Sequence, residues 1–166
     1  MDNIRRLDVF YKNRRVGTLA KHEKFFTAFE YDQEWLIDGF SISPFSLPLE
    51  KRVFIPKINP LDGLHGVFSD SLPDGWGRLL VDRLMRANNL SPQAVANLDR
   101  LAIVGSSGMG ALTYHPEKHL LTKNQQELDL DKIATECKNI LITEYSVQLD
   151  DLFSLGGSSG GARPKF

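Results

Sequence analysis

From Leu7 to Tyr11 the chain alternates, with Leu7, Val9 and Tyr11 on one parity and Asp8, Phe10 and Lys12 on the other. A period of two sends successive side chains to opposite faces, so this run predicts a strand with one face available for burial. Asn13-Arg14 follows, then a second short run over residues 16–19, and the pair predicts a β-hairpin. A third run over residues 25–36 places Phe25, Thr27, Phe29 and Tyr31 on one face, which predicts a further antiparallel strand extending the same sheet.

Prolines at 44, 48, 56 and 60 interrupt the next stretch. Proline has no N–H for a ladder, so only short extended pieces such as residues 52–55 are expected there. The period then changes. Trp76, Leu79, Leu80, Leu84 and Ala87 recur at helical spacing, with Asp74 placed as an N-cap and Arg83 and Arg86 toward the negative end of the helix dipole, predicting a helix over about residues 74–88. Ser91-Pro92 predicts the start of a second helix, carried by Val95, Leu98, Leu101 and Ala102 and stopping near Gly105. Asp129 is placed to cap a third, in which Ile133, Cys137, Ile140 and Leu141 share a face, and a short helical turn follows through Leu149, Leu152 and Phe153. Strands first and helices later predict an α+β architecture: an antiparallel β-rich subdomain to about residue 70, then a helical segment and a glycine-rich loop.

Composition narrows the classes. With 42% hydrophobic and 25% charged residues the chain lies in the ordinary globular range, so neither disorder nor a fibrous repeat is expected. Twenty Lys and Arg against 21 Asp and Glu give a net charge of −1, too little positive field for autonomous binding to nucleic-acid backbones. A single cysteine, Cys137, forms no internal disulfide, and residues 1–6 lack a signal-peptide apolar stretch, so a cytoplasmic location is expected. No stretch approaches the ~18 apolar residues of a membrane span, so no membrane partner is expected. His22, His65, His115 and His119 show no metal-site spacing, since Pro116 interrupts any helix across the last two.

Two glycine-rich segments could carry chemistry. The first, residues 105–110, reads as a turn between a helix and a strand, because a nucleotide fingerprint needs the opposite order. The second, Gly156-Gly157-Ser158-Ser159-Gly160-Gly161-Ala162-Arg163-Pro164-Lys165, has so few side chains that its backbone N–H groups could approach a phosphate, with Arg163 and Lys165 beside them. Read by composition alone it remains open between such an anion nest and a flexible tail. It lacks the Gly-Lys-Ser/Thr ending of a Walker A loop.

That segment resembles the phosphate-binding loop of HipA-type serine/threonine kinases, the toxins of bacterial toxin–antitoxin pairs. The run Leu72-Pro73-Asp74-Gly75-Trp76 is similar to the family's helix start, residues 105–114 to its Gly-Ala-Leu strand entry, and residues 7–19 and 43–49 to its opening β-rich part. By that resemblance, residues 1–115 form a HipA-type N-terminal subdomain and residues 116–166 begin the kinase core. Gly160, Gly161, Ala162, Arg163, Pro164 and Lys165 would contact ATP, and Ser158, with Ser159 as the neighbouring alternative, would be the autophosphorylation site.

The resemblance also implies ATP and magnesium as cofactors, a helix-turn-helix HipB-like antitoxin that carries any DNA contact, and a translation factor or aminoacyl-tRNA synthetase as substrate. The sequence has no His-Arg-Asp run, Asp38-Gly39-Phe40 is not Asp-Phe-Gly, and Thr18-Leu19-Ala20-Lys21 only faintly echoes a kinase strand lysine. No catalytic residue is therefore assigned in this chain. It is expected to be inactive until the remaining kinase core is supplied, whether the chain is a truncated product or half of a split pair. Two other readings stand beside this one: a separately encoded binding protein that docks on and regulates a split kinase core, and an unrelated α+β interaction domain with a Gly/Ser tail.

Overall fold

The computed structural model describes residues 4–23, 26–56, 61, 63–73, 75–108, 110–118, 135 and 138. Two compact units are present, one formed by residues 1–72 with 96–118 and the other by residues 73–95 with 119–166.

The first unit is built on a five-stranded antiparallel sheet. Strands β1 (Arg6–Tyr11) and β2 (Arg14–His22) form the expected hairpin, and Lys12 and Asn13 both take positive φ, 45° and 64°, in the two-residue turn whose twist matches the strands. β3 (Phe26–Tyr31) pairs with β2, and the two-residue β4 (Val53–Phe54) pairs with β3. β5 (Leu112–His115) returns to the other side of β1, giving the order β4-β3-β2-β1-β5.

The third apolar run is not one strand. β3 ends at Tyr31, and helix α1 (Gln33–Asp38) follows, because the Asp32 carboxylate accepts the Glu34 N–H at 2.9 Å and so starts a helix where the alternation suggested more strand. The rest of the loop is tied to the core by polar atoms. The Tyr31 hydroxyl donates to the Leu47 carbonyl at 2.6 Å and accepts from the Ile42 N–H at 3.2 Å, while Trp35 Nε1 donates to the Phe40 carbonyl at 3.0 Å. Burial raises the Tyr31 hydroxyl's pKa, against the lowering effect of the Ile42 N–H and the Ser41 side chain.

The second predicted helix is also divided. A short 3-10 turn (Pro92–Ala94) is followed by extended Val95 and Ala96, and helix α4 runs Asn97–Val104. The Ser91 hydroxyl donates to the Gln93 side chain at 3.0 Å and caps nothing, so a continuous helix has no anchored start there. α4 stops at Gly105, as the sequence predicts. Gly105 holds φ of 50°, and a side chain there would also strike Glu117.

The core lies on one side of the sheet. Leu7, Val9, Leu19, Phe29, Tyr31, Phe54, Leu112 and Tyr114 meet Leu98, Leu101 and Ala102 of α4, Phe68 of helix α2 (Gly66–Ser69), Trp35 and Leu47. The first unit also buries polar groups in pairs. Asp99, 2% exposed, accepts from the Ile4 N–H at 3.2 Å and from the Lys118 ammonium. The Tyr114 hydroxyl, its pKa raised chiefly by burial, donates to Ser71 Oγ at 2.6 Å. In the second unit, helix α3 (Gly75–Ala87) buries Trp76, Leu80, Val81, Leu84 and Met85. It ends in a Schellman arrangement: Asn89 takes φ of 57°, its N–H reaches the Arg86 carbonyl, and the Leu90 N–H reaches the Met85 carbonyl at 2.8 Å. Asp74, expected to cap that helix, lies outside the described residues.

Candidate functional site

With α4, α2 and the 40s loop filling one side of the sheet, its other side is where exposed chemistry collects. Register places Arg6 opposite Ala20, Asp8 opposite Thr18, Ala20 opposite Ala28, and Thr18 opposite Glu30. Glu30 in turn faces Val53, and Asp8 faces His115 across β5.

The β1–β2 register shifts between Val9 and Phe10, so that Val9 faces Gly17 while Phe10 faces Arg15, leaving Val16 as the extra residue of a bulge. Arg15 and Thr18 are three apart and would point to opposite faces of a regular strand. The bulge brings them to one face. There Arg15 Nη2 donates to Asp8 Oδ1 and to Thr18 Oγ1, each at 2.8 Å, and Arg15 Nη1 lies 3.3 Å from Asp32 Oδ2. The Thr18 hydroxyl donates to Asp8 at 2.9 Å and accepts from Arg6 Nη2 at 3.3 Å. The cost of the bulge is met at Gly17, where a Cβ would lie 2.3 Å from the Glu30 carbonyl oxygen.

Beside this network the sheet carries a cleft of about 580 Å³. Thr18, Ala20 and Ala28 give it a floor of small side chains, and Arg6, Arg15, Glu30, Asp32, Glu34 and Val53 form its walls. Glu30 and Glu34 make no ion pair among the described residues, whereas both arginines are engaged by Asp8. Small side chains under a charged rim can seat an extended ligand.

A model of the family described as HipA N-terminal domain matches residues 7–115, about two thirds of the sequence. The chain belongs to that family. Its HipA-type span starts in β1 and ends on the last residue of β5, so it takes in every strand of the sheet. No curated protein matches the chain.

The residues expected to bind nucleotide, Gly160, Gly161, Ala162, Arg163, Pro164 and Lys165, lie outside the described residues, as do Ser158, Ser159, Cys137, His119 and, apart from residues 135 and 138, the helices expected over residues 129–153. Of the faint kinase echoes, Thr18 to Lys21 lie on β2, and Asp38 is paired with Arg14 at 2.6 Å at the end of α1. His65 is buried over α2, and His115 stacks edge-on against Phe10 at 5.0 Å. Among the described residues no group of three or more His, Cys, Asp or Glu could hold a metal ion, and no helix is long and apolar enough to cross a membrane.

Sequence reasoning missed the Arg6–Asp8–Arg15–Thr18 network and the Asp99–Lys118 pair. The alternation of β1 does put Arg6 and Asp8 on one face, but nothing in the spacing of Arg15 and Thr18 announces a bulge.

Proposed function

We propose that this chain is the N-terminal portion of a HipA-like serine/threonine kinase toxin, contributing the ATP phosphate loop to an active site that a kinase core completes. The observation that carries the reading is the HipA-type match over residues 7–115, followed in the sequence by Gly156-Gly157-Ser158-Ser159-Gly160-Gly161-Ala162-Arg163-Pro164-Lys165. Glycines at such a density leave main-chain N–H groups bare toward an anion, and Arg163 and Lys165 add charge to the same stretch. In this reading Gly160 to Lys165 hold the phosphates of ATP, with magnesium held by carboxylates of the core.

Ser158, or else its neighbour Ser159, takes the phosphate in autophosphorylation. A phosphoserine adds roughly −1.5 to −2 charge, which repels the nucleotide phosphates and makes the modification an off-switch. The partners are a HipB-like helix-turn-helix antitoxin, through which alone DNA is reached, and a protein substrate of the translation apparatus. The compartment is the cytoplasm.

The test is to incubate the chain with magnesium and γ-labelled ATP, first by itself and then after co-production with a HipA-type catalytic core. The chain by itself should not turn over ATP. With the core, label should enter Ser158, and Ser158→Ala should remove the label while preserving ATP binding through prolonged incubation. Label that survives the paired Ser158→Ala and Ser159→Ala substitutions, or ATP binding indifferent to Gly161→Asp and Lys165→Ala, would overturn the proposal.

A further inference from the structure

The outer face of the sheet carries a cleft that the core does not fill. We infer that this cleft is a docking trough for a short, extended polypeptide segment bearing lysine or arginine, supplied by a partner protein.

The first support is shape. A volume of about 580 Å³ lies over Thr18, Ala20 and Ala28, whose short side chains let an extended backbone come close to the sheet. These floor residues are neighbours across β2 and β3, with Ala20 facing Ala28 and Thr18 facing Glu30. The occupant therefore lies on the face of the sheet and adds no strand to its edge.

The second support is charge. Glu30, Asp32 and Glu34 line the cleft with Arg6 and Arg15, an excess of one negative charge. The imbalance is also uneven in availability. Arg15 is held by Asp8, Thr18 and Asp32 through its two terminal nitrogens, with Nε left without a hydrogen bond, and Arg6 lies 3.7 Å from Asp8, so both cations already face a carboxylate. Among the described residues Glu30 and Glu34 make no ion pair, and they stand on the wall that includes Val53, which is about half exposed. A cationic side chain on Glu30 and Glu34, with an apolar neighbour against Val53, completes what the chain leaves open. An acidic segment would meet the same two carboxylates as repulsion.

Because a charge-led contact of this kind falls with added salt, the measurement belongs at low ionic strength and again at ~0.15 M. The probe is a fluorescein-labelled peptide, acetyl-Lys-Val-Arg-Ala-Lys-amide, titrated with the chain and followed by anisotropy, beside the same peptide with glutamate in place of each cation. The basic peptide should saturate and the acidic one should not. Glu30→Gln with Glu34→Gln should weaken binding by about tenfold or more, and Ala28→Trp, which fills the trough without touching its charge, should weaken it comparably.

Both variants alter one face of the sheet, so unchanged circular dichroism and melting temperature confirm that they fold. Equal binding of the two peptides, affinity retained in the charge variant, or no saturation by ~1 mM peptide at low salt would each overturn the inference. So would spermidine competing as well as the basic peptide, since that would make the face a general cation surface with no trough.

Discussion

On the inner face of the sheet, Leu7, Val9, Leu19 and Phe29 are sealed from water; one residue along the same strands, Arg6, Asp8, Thr18 and Glu30 stand on the outer face within its reach. The backbone, the ladder and the register are shared, so the difference belongs to the side chains and to what covers them. Inside, α4, α2 and Trp35 close over the strands, and each apolar side chain contributes by leaving water. Outside, Arg15 is held by two carboxylates and a hydroxyl, yet the group stays half-buried and solvent screens it. Stability is therefore concentrated on one face, and the other is free to vary its chemistry without unfolding the strands that present it.

The strongest test of that asymmetry is Phe29→Ala. Phe29 is fully buried, its ring 4.9 Å from that of Tyr31 and 5.0 Å from that of Phe68. Removing it should cost about 3–5 kcal/mol, read as a lowered urea midpoint at unchanged m-value. Gly17→Ala comes next. Its new methyl would enter the space of the Glu30 carbonyl and the Phe29 ring, so the bulge must open, at about 1–3 kcal/mol. A loss there should also disturb the outer network, because the same bulge sets Arg15 beside Thr18.

A third prediction uses pH. His65 is buried, and its Nε2 has no hydrogen-bond partner. Burial lowers its pKa from the usual 6.5, only partly countered by its hydrogen bond to the Phe54 backbone. The unfolded chain therefore binds a proton near pH 6.5 that the folded chain refuses, so stability should be full above that pH and decline as pH falls through it toward the depressed folded value. Melting temperatures between about pH 7.5 and 5.5 should fall less steeply in His65→Gln than in the parent. His115→Gln, at the outer face, serves as the matched control.

These contrasts also mark what the chain's pattern could and could not announce. The period-two run of β1 and the helical spacing of Leu80 and Leu84 are local consequences of which face is buried, and both elements stand where that spacing puts them. The α+β class follows from the same signals. The end of β3 at Asp32 was hidden because Trp35 and Leu36 keep the apolar count high, while the event that starts α1 is one carboxylate accepting one N–H. The break at Val95 and Ala96 was hidden because Leu98 and Leu101 continue a stripe that local spacing cannot tell from a longer helix. The return of β5 to β1 and the meeting of Asp99 with Ile4 are contacts across about a hundred residues of chain, which no local period encodes. The candidate cleft depends on a bulge, and its residues become neighbours only once register is known.

The smallest expected effect bears most directly on that cleft. Arg15→Ala removes three polar contacts at once, and a count of bonds would make it damaging. Its carboxylate partners, however, are not buried. Asp8 and Asp32 both remain in reach of water, so each is rehydrated when the guanidinium goes, and no uncompensated charge is stranded in the core. The loss should be about 1 kcal/mol or less and should shrink further with salt. Asp99→Ala supplies the contrast within the same unit, because it takes a buried carboxylate away from the Lys118 ammonium and the Ile4 N–H in a site that water does not reach as freely. If thermal melts gave Arg15→Ala the larger penalty of the two, the outer face would be part of what holds the fold, and its freedom to serve as a binding surface would be lost.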